Sequence, residues 1–96
     1  MDRQSTLKLL KAHKPHLAGQ FGVLTLALFG SMARDTATAQ SDIDVLVAFD
    51  GPATSARFFG VKFYLEDLMG RAVDLVTDKA LRPELRPFIA QDAVSV

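Results

Sequence analysis

The sequence predicts a small α/β domain, a sheet with helices laid against it. Three observations lead there. Apolar strand-like runs alternate with segments of helical periodicity, in the order helix, strand, helix, strand, helix, strand, helix. Gly, Pro and Asp punctuate the boundaries, at Gly19, Gly22, Gly30, Asp50-Gly51-Pro52 and Gly70. No repeat or linker divides the 96 residues, so one domain spans 1–96.

Each element has its own signal. Ser5 to about Leu17 reads as a first helix, with Ser5 or Thr6 as cap, Leu7, Leu10 and Leu17 on one face, and Pro15 as a kink or early end. Val23–Phe29 is apolar on both faces, as a central strand would be. Gly30-Ser31 breaks it; a short helix over Met32–Ala37 and a polar loop over Thr36–Gln40 follow. Asp42–Phe49 is the second strand. The third helix is expected over Ala53–Met69, with Pro52 suited to its first turn and Gly70 as its stop. Its apolar arc contains Phe58, Val61, Tyr64, Leu65, Leu68 and Met69. Ala72–Thr77 is the third strand, Pro83 to Gln91 a last helix, and Ala93–Val96 a short edge strand.

Composition narrows the functions. Eleven Lys+Arg balance eleven Asp+Glu, so there is no basic field and no direct nucleic-acid binding is expected. Zero net charge with 49% apolar residues favours association with a partner. There is no cysteine, which excludes disulfides and thiolate zinc sites. The longest apolar run is far too short for a bilayer span of about 20 residues. The N-terminus does not resemble a signal peptide, so a cytoplasmic location with no membrane association is expected.

The second strand carries the chemistry. Ile43, Val45, Val47 and Phe49 share one face; Asp42, Asp44, Leu46 and Ala48 share the other. A solvated face stays polar along its length, but this one turns apolar after Asp44, so the strand reads as buried on both sides with two carboxylates at one end. The third strand repeats the pattern, with Asp74 between Ala72 and Val76. A neighbouring strand lies about 4.8 Å away, close enough for Asp74 to join Asp42 and Asp44. Three gathered carboxylates repel one another unless a cation intervenes. Magnesium suits such oxygens while keeping waters and substrate phosphates. Two such ions about 3.5–4 Å apart can activate an attacking hydroxyl and stabilise a leaving pyrophosphate. Alone, Asp-x-Asp is also a common solvated strand edge.

Gly30-Ser31, between a buried strand and a short helix, permits close backbone approach to a phosphate. Ser31 can donate its hydroxyl to the same oxygens or cap the helix, and Arg34, one turn on, can add charge. Alone, Gly-Ser is an ordinary turn; neither a Walker loop nor a dinucleotide fingerprint is present.

Together these motifs resemble the minimal nucleotidyltransferase (MNT) family of the DNA polymerase β-like superfamily. Gly30-Ser31, ten residues and Asp42-x-Asp44 match its signature spacing. Phe29–Arg34, Ser41–Val47 and Val73–Val76 match its three motif blocks, and the resemblance runs from about Leu7 to Val96. One departure is Asp35, where the family often has glycine. The resemblance implies a nucleotidyltransferase fold with a mixed sheet, ATP as donor and Mg²⁺ as cofactor. It implies that Asp42 and Asp44 hold both metals, that Asp74 holds the catalytic metal and helps deprotonate the acceptor, and that Gly30, Ser31 and Arg34 bind the nucleotide. Many stand-alone members are similar to the antitoxin of HEPN–MNT pairs, which adds AMP to a tyrosine of the HEPN ribonuclease toxin. A hetero-oligomer with such a toxin is therefore expected, or a homodimer when alone. Neutralisation by occlusion without catalysis, and transfer to a small molecule such as an aminoglycoside, are the alternative functions.

Four other groups lie outside these motifs. Phe59 and Phe63 lie off the main apolar arc and either contact a partner or pack on the sheet or final helix. His13 and His16 lack a third ligand and read as surface or structural residues rather than a metal pair. Lys62 reads as solvated helix charge rather than a phosphate contact, and Arg82 with Arg86 as a solvated face.

Overall fold

The computed structural model describes residues 2–38 and 41–96. Met1 lies outside the described residues, as do Ala39 and Gln40 at the end of the expected polar loop. The elements are α1 (Arg3–Phe21), β1 (Val23–Phe29), α2 (Gly30–Ala33), β2 (Ile43–Phe49), α3 (Ser55–Met69), β3 (Val73–Thr77), α4 (Arg86–Asp92) and β4 (Val94–Ser95). Two short 3-10 turns, Asp78–Ala80 and Pro83–Leu85, connect β3 to α4.

The strands form one sheet in the order β3-β2-β1-β4. β2 runs antiparallel to β1 and parallel to β3, and β4 pairs antiparallel with the other side of β1. The sheet is thus mixed, as the family resemblance implies. The parallel pair requires a crossover, which α3 supplies.

Strand alternation decides the layers. Ile43, Val45 and Val47 of β2 and Leu26 and Leu28 of β1 are fully buried. They form one core cluster with Leu10 and Leu17 of α1 and Val61 and Leu65 of α3. Each such side chain contributes roughly 1.5–3 kcal/mol of transfer free energy, so this face anchors the domain. On the opposite face Asp44, Leu46 and Ala48 are only half-buried. There Ala27 and Leu46 face Leu81, Ile89, Ala90 and Ala93 across an open groove of about 340 Å³. β2 is therefore covered on both sides, but incompletely on the acidic one. β1 departs further: Leu24 and Thr25 are exposed, where its register with β2 shifts between Val23 and Thr25.

Several boundaries differ from the sequence expectations. α1 continues through Pro15 to Phe21. Pro15 and Lys11, whose carbonyl the ring leaves unpaired, are both exposed, so water can take that acceptor. The cap is neither Ser5 nor Thr6 but Asp2, whose carboxylate accepts from the Ser5 N–H at 2.8 Å. Gly22 at φ 74° stops the helix, so α1 ends at Phe21 rather than near Leu17. α2 begins two residues earlier than expected and ends at Ala33, not Ala37. α3 begins at Ser55 because Thr54 caps it, accepting from the Arg57 N–H at 3.2 Å, and this leaves Pro52 outside the helix. Gly70 ends α3 at φ 64°, as expected. No helix among the described residues is long and apolar enough to cross a membrane.

Candidate active site

Asp44 and Asp74 stand side by side because β2 and β3 are parallel and in register at that pair. Register partners on parallel strands project to the same face, so both carboxylates lie on the sheet face opposite the main core. Asp42 immediately precedes β2, is exposed, and falls on that face by alternation. Burial is the main cause holding the Asp44 carboxyl above the ordinary carboxylate range. The negative charges of Asp74 and Asp42, and a side-chain contact with Asp74, push it the same way. Asp44 thus sits in a concentration of like charge, partly withdrawn from water.

Gly30 completes this arrangement from the other side. Phe29, the last residue of β1, is the register partner of Asp44, so the chain turns into α2 directly beside that carboxylate. Gly30 has φ 71°, and a Cβ built there would overlap the Asp44 Oδ2, with Cγ only 3.0 Å away. Glycine is required here on two counts, left-handed backbone and close approach. Ser31 follows at the start of the turn; α2 has no side-chain cap, so Ser31 does not serve as one.

Arg34 is expected over the nucleotide phosphates. It lies close enough to Asp44 to favour the ionised carboxylate, but its Nη1 is paired with Asp92 of α4 at 2.8 Å. Asp35 has φ 61° and is the one non-glycine with positive φ among the described residues. The turn there is left-handed despite the side chain, which a short polar residue tolerates at some cost.

Two site neighbours escaped the sequence reading. Asp92 is the partner of Arg34. Arg71, between α3 and β3, donates through Nη2 to the carbonyls of Thr38 at 2.7 Å and Ser41 at 2.5 Å, the latter one residue before Asp42. Neither interaction has a motif, because one is an ion pair 58 residues apart in sequence and the other uses backbone acceptors.

Lys62 donates to Glu66 Oε2 at 3.2 Å and to the Val73 carbonyl at 2.8 Å, tying α3 to β3 rather than standing free in solvent. His13 Nδ1 lies 2.6 Å from the Tyr64 hydroxyl, and the His16 ring stacks on Tyr64, so both histidines pack on α3. Arg82 and Arg86 are exposed, with Arg86 pairing loosely with Asp78 at 3.4 Å. Phe59 and Phe63 do not pack on the sheet or the final helix: they stack on one another and stay 45% and 56% exposed.

The donor set at Asp42, Asp44 and Asp74 is carboxylate oxygen only, and the like-charge stress on Asp44 is of the kind a hard divalent cation relieves. The residues therefore fit Mg²⁺ by chemistry. Among the described residues, no three His, Cys, Asp or Glu side chains are gathered closely enough to ligate one ion as they stand.

Comparison with known proteins places this geometry. A protein of Methanocaldococcus jannaschii described as a candidate protein adenylyltransferase is 39% identical over 89 residues, covering 92% of this chain and 91% of that protein. The protein adenylyltransferase MntA of Thermococcus cleftensis is 36% identical over 88 residues, covering 92% and 89%. A solved candidate minimal nucleotidyltransferase superposes with a TM-score of 0.83 at 34% identity, over 100% of this chain and 97% of its own. The fold is also shared with a Shewanella oneidensis structure of a tri-AMPylated HEPN toxin in complex with an MNT antitoxin, at TM-score 0.66 and 18% identity, covering 99% and 71%. The nucleotidyltransferase domain family matches residues 10–96, and with its mixed sheet and glycine-flanked acidic strands this chain belongs to that family.

Proposed function

We propose that the chain is a Mg²⁺-dependent protein adenylyltransferase that moves AMP from ATP to a tyrosine hydroxyl of a HEPN ribonuclease toxin, and so acts as its antitoxin. The observation that carries the reading is the pairing of Asp44 with Asp74 against the backbone of Gly30. Relatives covering nine-tenths of the chain are named as protein adenylyltransferases, which supports a protein acceptor.

In this reading Asp42, Asp44 and Asp74 would hold two Mg²⁺ ions, the Asp42 side chain turning toward the other two. The ions, when bound, lower the pKa of the acceptor hydroxyl and neutralise charge on the leaving pyrophosphate. Asp74 accepts the hydroxyl proton. The tyrosine oxygen forms a bond to the α-phosphorus, and the bond to the β-phosphate oxygen breaks, releasing pyrophosphate. The Gly30-Ser31 turn brings backbone N–H groups and the Ser31 hydroxyl to the triphosphate. Arg34 exchanges Asp92 for phosphate oxygens, a small cost because an exposed ion pair is worth only about 0–1 kcal/mol. The test is incubation with the HEPN partner, Mg²⁺ and ATP labelled at the α-phosphate. Label should appear on a partner tyrosine, with none from γ-labelled ATP and none with Asp44→Asn. A partner that stays unlabelled at all metal concentrations would end the proposal.

The exposed stack of Phe59 and Phe63 favours a second reading, neutralisation by occlusion. Under it, Asp44→Asn silences the toxin as well as wild type does, whereas Phe59→Ser with Phe63→Ser fails while remaining folded.

A further inference from the structure

Asp42 is the least supported of the three site acids. It lies outside β2 and is exposed, yet the residues on either side of it are tethered. Ahead of it, Thr38 and Ser41 are bonded to one another: the Ser41 N–H donates to the Thr38 carbonyl at 3.1 Å, and the Thr38 N–H donates to Ser41 Oγ at 3.0 Å. These two residues present their carbonyls to one guanidinium nitrogen of Arg71. Behind Asp42, the Ile43 N–H donates to the Ala72 carbonyl at 3.0 Å. The chain flanking Asp42 is therefore hooked at three points to residues 71–72, which lead directly into Asp74.

The role of this hook is geometric. One Nη2 can donate its two N–H bonds to the two carbonyls, and the planar guanidinium fixes the direction of those bonds, whereas an ammonium is a compact point charge whose donors rotate freely.

We propose that Arg71 is a positioning residue that holds the backbone of Asp42 beside Asp44 and Asp74, so that only the Asp42 side chain need turn for the three to share divalent cations. This rests on the reading of those acids as the metal site. Residues that orient a ligand from behind typically change metal affinity 10–100-fold when lost, and the same scale is expected here.

The experiment compares wild type, Arg71→Met, Arg71→Lys and Asp44→Asn. It measures Mn²⁺ binding by electron paramagnetic resonance without nucleotide or partner, then the Mg²⁺ dependence of AMP transfer, with circular dichroism to confirm folding. Arg71→Met should weaken Mn²⁺ binding by about 10-fold or more, and Arg71→Lys by less. Transfer by either variant should recover to near the wild-type kcat at saturating Mg²⁺, with the half-saturating Mg²⁺ concentration displaced by the same factor as Mn²⁺ affinity. A loss of kcat that Mg²⁺ does not restore would overturn the proposal. So would Mn²⁺ affinity within about twofold of wild type in Arg71→Met, far short of the expected loss. If Arg71→Met fails to fold, Arg71→Lys decides by the same criterion: unchanged Mn²⁺ affinity overturns the proposal and a matched displacement supports it. If wild type binds no Mn²⁺, or Asp44→Asn binds as well as wild type, the metal-site reading itself falls, and this inference with it.

Discussion

Replacing Gly30 with alanine isolates the contact on which the acidic site is built. Two costs add. The residue sits at φ 71°, where an L side chain costs roughly 1–2 kcal/mol. The new methyl also overlaps the Asp44 carboxylate, and overpacking of this kind costs typically 1–3 kcal/mol. The sum, about 2–5 kcal/mol, is a large share of the roughly 5–14 kcal/mol available to a chain of this length. Urea unfolding at neutral pH without divalent ions should show it as a lower midpoint at unchanged slope. The thermal midpoint should fall by at least about 8 °C, at roughly 4–8 °C per kcal/mol. The steric part should depend on its partner. In an Asp44→Ala background the nearest remaining atom is the Asp44 Cβ, 3.3 Å from the new methyl, so the cost should drop to about the backbone strain alone. If Gly30→Ala costs less than about 0.5 kcal/mol, the level of an ordinary surface change, or costs the same with and without the Asp44 carboxylate, then Gly30 is not the seat of Asp44.

Three further changes test the surroundings. Asp44→Asn should stabilise the metal-free protein at neutral pH by about 1 kcal/mol, the repulsion of unit charges about 5 Å apart in a largely aqueous dielectric, while abolishing AMP transfer. The pH dependence follows from the raised pKa of Asp44: the folded chain keeps that proton to higher pH than the unfolded chain does, so its contribution is complete below the ordinary Asp value and is lost as pH rises through the folded value. The stability difference between wild type and Asp44→Asn, from urea midpoints at a series of pH values without metal, should therefore grow as pH rises; a difference that shrinks would refute it. Asp92→Asn should release Arg34 and lower the KM for ATP by up to about fivefold, the limit set by an exposed ion pair; a raised KM in steady-state assays would show that Asp92 positions Arg34 instead. Asp35→Gly should raise stability by about 0.5–1 kcal/mol by relieving a left-handed side chain, and an unchanged or lower thermal midpoint would mean that the Asp35 side chain repays its strain.

The parts legible in the sequence are those with a local signature. The alternation over Ile43–Phe49 separates four residues that the structure buries from a face that begins with Asp44, and the same alternation over Val73–Thr77 sets Asp74 on the shared face. The positions that escaped have other causes. Pro15 reads as a helix breaker, but the acceptor it orphans is at the surface, and the sequence does not show which side of α1 is wet. Thr54 wins the cap from the region of Pro52 because its hydroxyl reaches the Arg57 N–H, a competition between neighbours that propensity does not rank. Arg71 reads as one more surface charge, since every residue carries a carbonyl and nothing marks those of Thr38 and Ser41 as its acceptors. Gly30 is legible as a turn and a close approach, but not its particular neighbour, because contact with Asp44 depends on the β1–β2 register.

That register explains why motifs so far apart in the chain form one site. β1 is antiparallel to β2, so the end of β1 lies beside the start of β2 and delivers Gly30 to Asp44. β3 is parallel to β2, so its start lies there too and delivers Asp74. One strand finishes where two begin, and the spacing between Gly30-Ser31 and Asp42 is the length of chain that makes the return. A slip of β2 by one residue would turn Asp44 toward the buried face and Val45 toward the site. The same Ile43, Val45 and Val47 that fill the core oppose that slip, since it would expose three fully buried side chains and bury a carboxylate among Leu10, Leu65 and their neighbours. The core therefore specifies the site indirectly: its alternation locks the register, and the register brings the glycine turn and two of the acids together.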